Sequence, residues 1–179
     1  MPQWIIELLN KNYDAQHGVV NIRPVVDTVL QRSTNPFLEI SNTFVEATRQ
    51  WQLPLIEALR TLAASGQCTT DDARFMLEAT RTVAEDVGSD EYFKTVNALV
   101  SSQASAAALV TFISSLLAGS NEFKRRLAFY AVGLLAERSP ATVPERLLTQ
   151  LKSEADLEQS PARRAQFLEV LARLQPSVA

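Results

Sequence analysis

The sequence predicts an all-α fold of about ten antiparallel helices, and three observations carry that prediction. Almost every one of the eight Pro and five Gly falls where a helix would begin or end, which cuts the chain into helix-length segments. Those segments space apolar residues by three and four, and the only candidate strand is a weak one at 19–22. The stretch SNEFKRRLAFYAVGLLAER (120–138) is apolar on nearly every face yet opens with three consecutive cations, as in a helix enclosed by others with its charged first turn at one edge.

Taken in order, Pro2 belongs to the first turn of a short helix ending near Asn10, and KNYDAQHGVVN (11–21) is an extended polar connection. Pro24 starts a second helix that runs to about Arg32. Asn35 and Pro36 supply cap and first turn for 36–51; Pro54 then restarts the chain for a helix ended by Gly66, unless the two form one kinked rod. Thr69 and Asp72 resemble a capping box for Thr70–Val87, with Phe75, Ala79 and Val83 on one stripe and Gly88 as the stop. Ser89 caps a helix to about Val100, with Asp90 and Glu91 at the positive end of its dipole. Ser102 leads into 103–118, closed by Gly119. The apolar tract 104–118 is too short, and too rich in Ser and Thr, for a lone membrane span and reads as a central helix.

Ser120 or Asn121 caps 121–138, where Phe123, Leu127, Tyr130 and Leu134 mark one stripe. Thr142, Pro144 and Glu145 read as cap, first helical residue and capping-box acid of a helix to about Leu157. Ser160 and Pro161 repeat that signal for the last helix, which Pro176 terminates. The expected assembly is one all-helical domain over 1–179, either a short right-handed α-α superhelix or an irregular bundle, with 103–138 at its centre.

Within 120–138, Arg125, Ala128, Ala131, Val132, Gly133 and Leu135 follow one another as an arginine, an alanine-rich stretch and a closing Gly-Leu. Arg163, Arg164, Ala165, Phe167, Val170 and Leu174 form a second such run; the Arg pairs lie 38 residues apart, and so do Phe129 and Phe167. A period near 40 is the size of a two-helix solenoid unit. Residues 103–175 therefore resemble HEAT repeats, and Arg125–Leu135 resembles the second helix of one. A further run at Ala73, Arg74 and Phe75 sits 54 residues ahead of Phe129 and has no closing glycine. The resemblance implies a non-enzymatic platform with an extended binding surface and carries no catalytic residues. It also implies that Arg125 and Arg163 pair with neighbouring repeats.

The net charge of −3 is unevenly spread: residues 1–91 sum to −6 and residues 92–179 to +3. An acidic chain is a poor general binder of nucleic acid. The lone Cys68 excludes an intramolecular disulfide and a cysteine-built zinc site, which fits a cytoplasmic protein. The N-terminus lacks the features of a secretory signal.

No Gly-rich phosphate loop, nucleophile elbow or zinc-protease motif occurs, and no metal or cofactor is expected. A small enzyme would have to draw on Asp14, His17 and Cys68, three residues of the right types for acid-base or thiol chemistry. The acid pairs Asp71-Asp72, Glu85-Asp86 and Asp90-Glu91 fit helix starts or exposed faces better than a catalytic pair across a cleft. The reading favoured is a protein-protein interaction or scaffolding module. Its expected partner surface is an edge of Lys124, Arg125, Arg126, Arg163 and Arg164, with Trp4 as a separate anchor. The partner would be an acidic protein surface, another copy of the chain included; a nucleic-acid-associated regulator using the same cations is the alternative.

Overall fold

The computed structural model describes residues 3–87, 90–101, 103–118, 121–138 and 143–174. Among them are ten helices: α1 (Gln3–Lys11), α2 (Ile22–Arg32), α3 (Pro36–Glu46), α4 (Arg49–Ala64), α5 (Thr70–Val87), α6 (Asp90–Leu99), α7 (Gln103–Leu117), α8 (Glu122–Arg138), α9 (Glu145–Leu157) and α10 (Pro161–Leu174). Consecutive helices pair as five hairpins, and each helix also packs on the one two places before it. The odd-numbered helices thus form one layer and the even-numbered helices a second. Buried side chains run through all five hairpins as one core. None of the described helices is long and apolar enough to cross a membrane.

Several helix ends form as the capping chemistry predicts. Asn35 Oδ1 accepts from the Leu38 N–H at 3.2 Å with Pro36 at the first helical position. Thr69 and Asp72 bond reciprocally, at 3.2 and 3.0 Å. Asn121 Oδ1 accepts from the Lys124 N–H at 3.1 Å. Gly66 takes the left-handed conformation, φ +82°, directly after the C-cap of α4.

Four expectations are corrected. The break between α3 and α4 falls at Ala47–Thr48, and Pro54 lies inside α4. An internal proline costs about 3 kcal/mol, but burial of an apolar side chain returns roughly 1.5–3 kcal/mol. Trp51, Leu55, Ile56, Leu59 and Leu62 all bury from this one helix, so packing overrides the break. Pro24 is the third residue of α2, which starts at Ile22 after Asn21. Pro144 is the N-cap of α9, not its first helical residue. Residues 103–138 make the fourth hairpin of five, so the centre is α5–α6.

The 11–21 connection holds a small β-hairpin, β1 (Tyr13–Asp14) and β2 (Val19–Val20), paired antiparallel. The strand candidate at 19–22 therefore stops after two residues, because Ile22 already belongs to α2. Asp14 Oδ1 accepts from the N–H groups of Gln16 and His17, and Gly18 turns the chain at φ +68°. Gly88, Ser89, Ser102, Gly119, Ser120, Thr142 and Pro176, read as stops or caps, lie outside the described residues, as do the side chains of Glu85 and Asp86.

Candidate interaction surface

Helices α8 and α10 lie side by side and run in the same direction. From their starts to their ends the contacts are Arg163–Glu122, Phe129–Phe167 and Arg173–Glu137, and between the last two Gly133 faces Val170, whose Cγ2 a Cβ there would meet at 3.6 Å. The rings of Phe129 and Phe167 stack with centroids 3.7 Å apart and planes 2° from parallel. At the Phe pair, the 38-residue offset seen in the sequence is thus a direct contact between neighbouring helices of one layer. The run at Ala73–Phe75 is not its equivalent, since α5 belongs to the opposite layer.

The five cations expected to make one edge divide. Arg125 reaches forward into the last hairpin, with its Nε 3.0 Å from Glu154 and its terminal nitrogen 3.8 Å from Glu158. Arg163 reaches back to Glu122 at 2.9 Å and also holds Glu158 at 3.2 Å. Glu158 is the buried bridge between them. The Ser160 backbone N–H lowers the pKa of its carboxyl most, burial raises it, and Arg163 and Arg125 lower it again, leaving it below the usual range. Arg164 pairs with Asp156 at 3.2 Å. Lys124 and Arg126 are exposed and form no ion pair with a described residue; at about 100° per residue they point to nearly opposite sides of α8. Three of the five cations are therefore occupied by carboxylates of this chain, and a continuous basic edge does not form.

A different surface takes its place. Between α6, α8 and α10 lies a groove of about 460 Å³. Phe93, Phe129, Tyr130, Phe167 and Val170 line its apolar part, while Arg126, Arg163 and Gln166 are its polar residues. Phe93 and Tyr130 meet edge to face at 4.9 Å. The buried residues of α8 are Leu127, Ala128, Phe129, Ala131, Val132 and Leu135, so Tyr130, which the sequence places on one stripe with Leu127, is turned out and 39% exposed. No carboxylate is among the described residues that line the groove. Phe129 and Phe167, 3% and 5% exposed, are core residues that form the floor of the groove, and its open apolar surface comes from Tyr130 and the half-buried Phe93 and Val170.

Trp4 lies in the first hairpin with the Arg32 guanidinium over its ring at 5.8 Å, so its face is taken by a cation of its own hairpin. His17 Nδ1 and Asp14 Oδ2 are 2.6 Å apart on the exposed β-hairpin, and that bond lowers the Asp14 pKa. Cys68 is buried; burial raises its pKa, and its partners are the Thr69 carbonyl at 3.5 Å and the Ser105 side chain. Among the described residues no three His, Cys, Asp or Glu converge to hold a metal ion.

One polar cluster was missed outright. Arg60 of α4 and Glu91 of α6, 8% and 5% exposed, pair at 2.6 Å in the second layer. Arg60 also donates to Thr95 Oγ1 at 3.0 Å and to the Glu91 carbonyl at 2.9 Å, while Lys94 binds the other Glu91 oxygen at 2.8 Å. Burial raises the Glu91 pKa, but bonds from Lys94 and Arg60 outweigh it and hold the carboxyl below its usual range. Glu91 stands in the first turn of α6 as expected but is buried, and Arg60 sits on the apolar side of α4, where a helix pattern flags nothing. No protein-family model, curated protein or solved structure was found to match the chain.

Proposed function

We propose that the chain is a non-enzymatic interaction module of the HEAT-like kind, built as a scaffold for another protein, and that its binding surface is the even-numbered layer at α6, α8 and α10. The observation that carries this reading is the groove itself. Tyr130, the half-buried Phe93 and Val170, above the buried pair Phe129 and Phe167, lie beside two guanidiniums with no acid among the described lining residues, and aromatic rings with arginine are typical of the residues that dominate protein interfaces. The register of α8 on α10 supports the repeat-like reading, because stacked hairpins present such a layer without interruption. An acidic partner fits the charge of the groove, and a cytoplasmic location fits the single Cys68.

The test is capture of partners from the native host by the wild type and by the double variant Arg126→Glu/Gln166→Glu, with circular dichroism to confirm that the variant folds. Both side chains are exposed, so the change reverses the groove's charge without touching the core. A partner retained by the wild type and lost by the variant supports the reading. A set of captured proteins that is identical for both removes it.

A further inference from the structure

Resting on that reading, we propose that the groove takes an acidic segment of a partner protein that carries an aromatic or leucine anchor and two carboxylates, one held by Arg126 and one that displaces Glu122 from Arg163. The two arginines stand differently. Arg126 is exposed and has no side-chain partner among the described residues, so it offers a full guanidinium fork to a carboxylate. Arg163 is held by two acids of unequal standing. Glu158 is 3% exposed and also accepts the Ser160 N–H at 2.9 Å, which fixes it in place. Glu122 is 56% exposed and holds Arg163 by a single contact at 2.9 Å.

An exposed pair of that kind contributes little and exchanges readily. The Nε–H of Arg163 is enclosed and has no partner, a state that is unfavourable for a buried donor. A carboxylate arriving in the groove can draw the guanidinium toward it and satisfy that donor, while Glu122 moves into water. Glu122 therefore acts as an internal competitor for the partner's acid. The anchor's place is set by Tyr130 and the half-buried Phe93 and Val170, which leave apolar surface open between the arginines. A volume of about 460 Å³ lies within the roughly 300–1,000 Å³ of ordinary ligand sites and holds side chains, not a folded domain.

The test uses the whole chain and fluorescein-labelled synthetic peptides read by anisotropy. The parent peptide is helical, with one Trp and two Glu on the same face; one control replaces the Glu by Gln, the other the Trp by Ala. The parent should bind the wild type, and each control should bind at least about tenfold more weakly, as expected for the loss of a charge-assisted bond or an anchor. Arg126→Ala should weaken the parent by about tenfold. Glu122→Gln should tighten it severalfold, whereas Glu137→Gln, which removes the same charge from the far end of α8, should leave it unchanged.

Equal effects of the two Glu→Gln changes would reduce the competitor to general electrostatics and overturn the proposal. Indifference to Arg126→Ala, or no binding of the parent peptide, would overturn it too. So would self-association of the wild type that Arg126→Ala abolishes, since the occupant would then be a second copy. A native partner lost with Arg126→Glu/Gln166→Glu but captured equally well by Arg126→Ala would leave the interaction module standing and remove only this chemistry.

Discussion

Replacing Arg60 by Met would remove one half of an ion pair that lies between α4 and α6. Three contacts disappear together: the 2.6 Å pair with Glu91, the 3.0 Å bond to Thr95 and the 2.9 Å bond to the Glu91 carbonyl. Breaking a buried pair from one side costs about 3–5 kcal/mol, because the surviving charge stays desolvated. Here Lys94 remains on Glu91 at 2.8 Å, and Met refills the arginine stem, so the expected cost is near the lower end, about 3 kcal/mol. The double variant Arg60→Met/Glu91→Leu removes the stranded charge and should recover to within about 1 kcal/mol of wild type or better, since buried pairs are often replaceable by apolar residues. Thr95 keeps its 2.6 Å hydroxyl contact with Thr80 in either case.

Urea unfolding followed by far-UV circular dichroism at neutral pH measures both values, and the double-mutant cycle isolates the coupling. A cost below about 1 kcal/mol for Arg60→Met would mean that water reaches Glu91 and that the pair behaves as a surface one. A double variant as unstable as the sum of its single changes would refute the stranded-charge argument. The acid limb supplies a second check. The folded pKa of Glu91 lies below its unfolded value, so its contribution is present above the unfolded pKa of about 4.3 and is lost as pH falls through the folded value. Wild-type stability should therefore fall more steeply across that window than the stability of the double variant.

Gly133→Ala should raise stability by about 0.5–1 kcal/mol through helix propensity, since a Cβ there would meet Val170 Cγ2 at an ordinary 3.6 Å; a fall in thermal midpoint would show that α8 and α10 need the glycine. Leu127→Ala should cost about 2–5 kcal/mol, because Leu127 is 1% exposed within the α8 core stripe; a urea midpoint close to wild type would contradict its burial. Asn35→Ala should cost about 1 kcal/mol by removing the acceptor for the Leu38 N–H, again read from urea unfolding. The Cys68 thiol should react slowly with Ellman's reagent in the folded protein and quickly in denaturant, because burial raises its pKa; equal rates would place it at the surface.

The sequence by itself determined the helical class and most of the helix starts. Caps such as Asn35-Pro36, Thr69/Asp72 and Asn121 act within a few residues, so their chemistry is complete before any packing occurs. It also contained the 38-residue offset that became the direct contact of Phe129 with Phe167 between α8 and α10. What it could not settle was every choice in which a local preference met a distant contact. Pro54 would end an isolated helix, yet it is carried inside α4 because that helix buries five large apolar side chains. Arg125 and Arg163 read both as part of an exposed edge and, from the HEAT resemblance, as residues that pair with neighbouring repeats; only the stacking brings Glu122, Glu154 and Glu158 to them from other elements and takes them out of the edge. Tyr130 shares a helical stripe with Leu127 but faces a groove, because α6 and α10 flank that side without closing over it. The Arg60–Glu91 pair joins residues 31 apart in the chain, and no spacing rule within one helix can express such a contact. Helix formation is a local event, whereas the partner of a charge and the cover of a ring depend on how the hairpins stack.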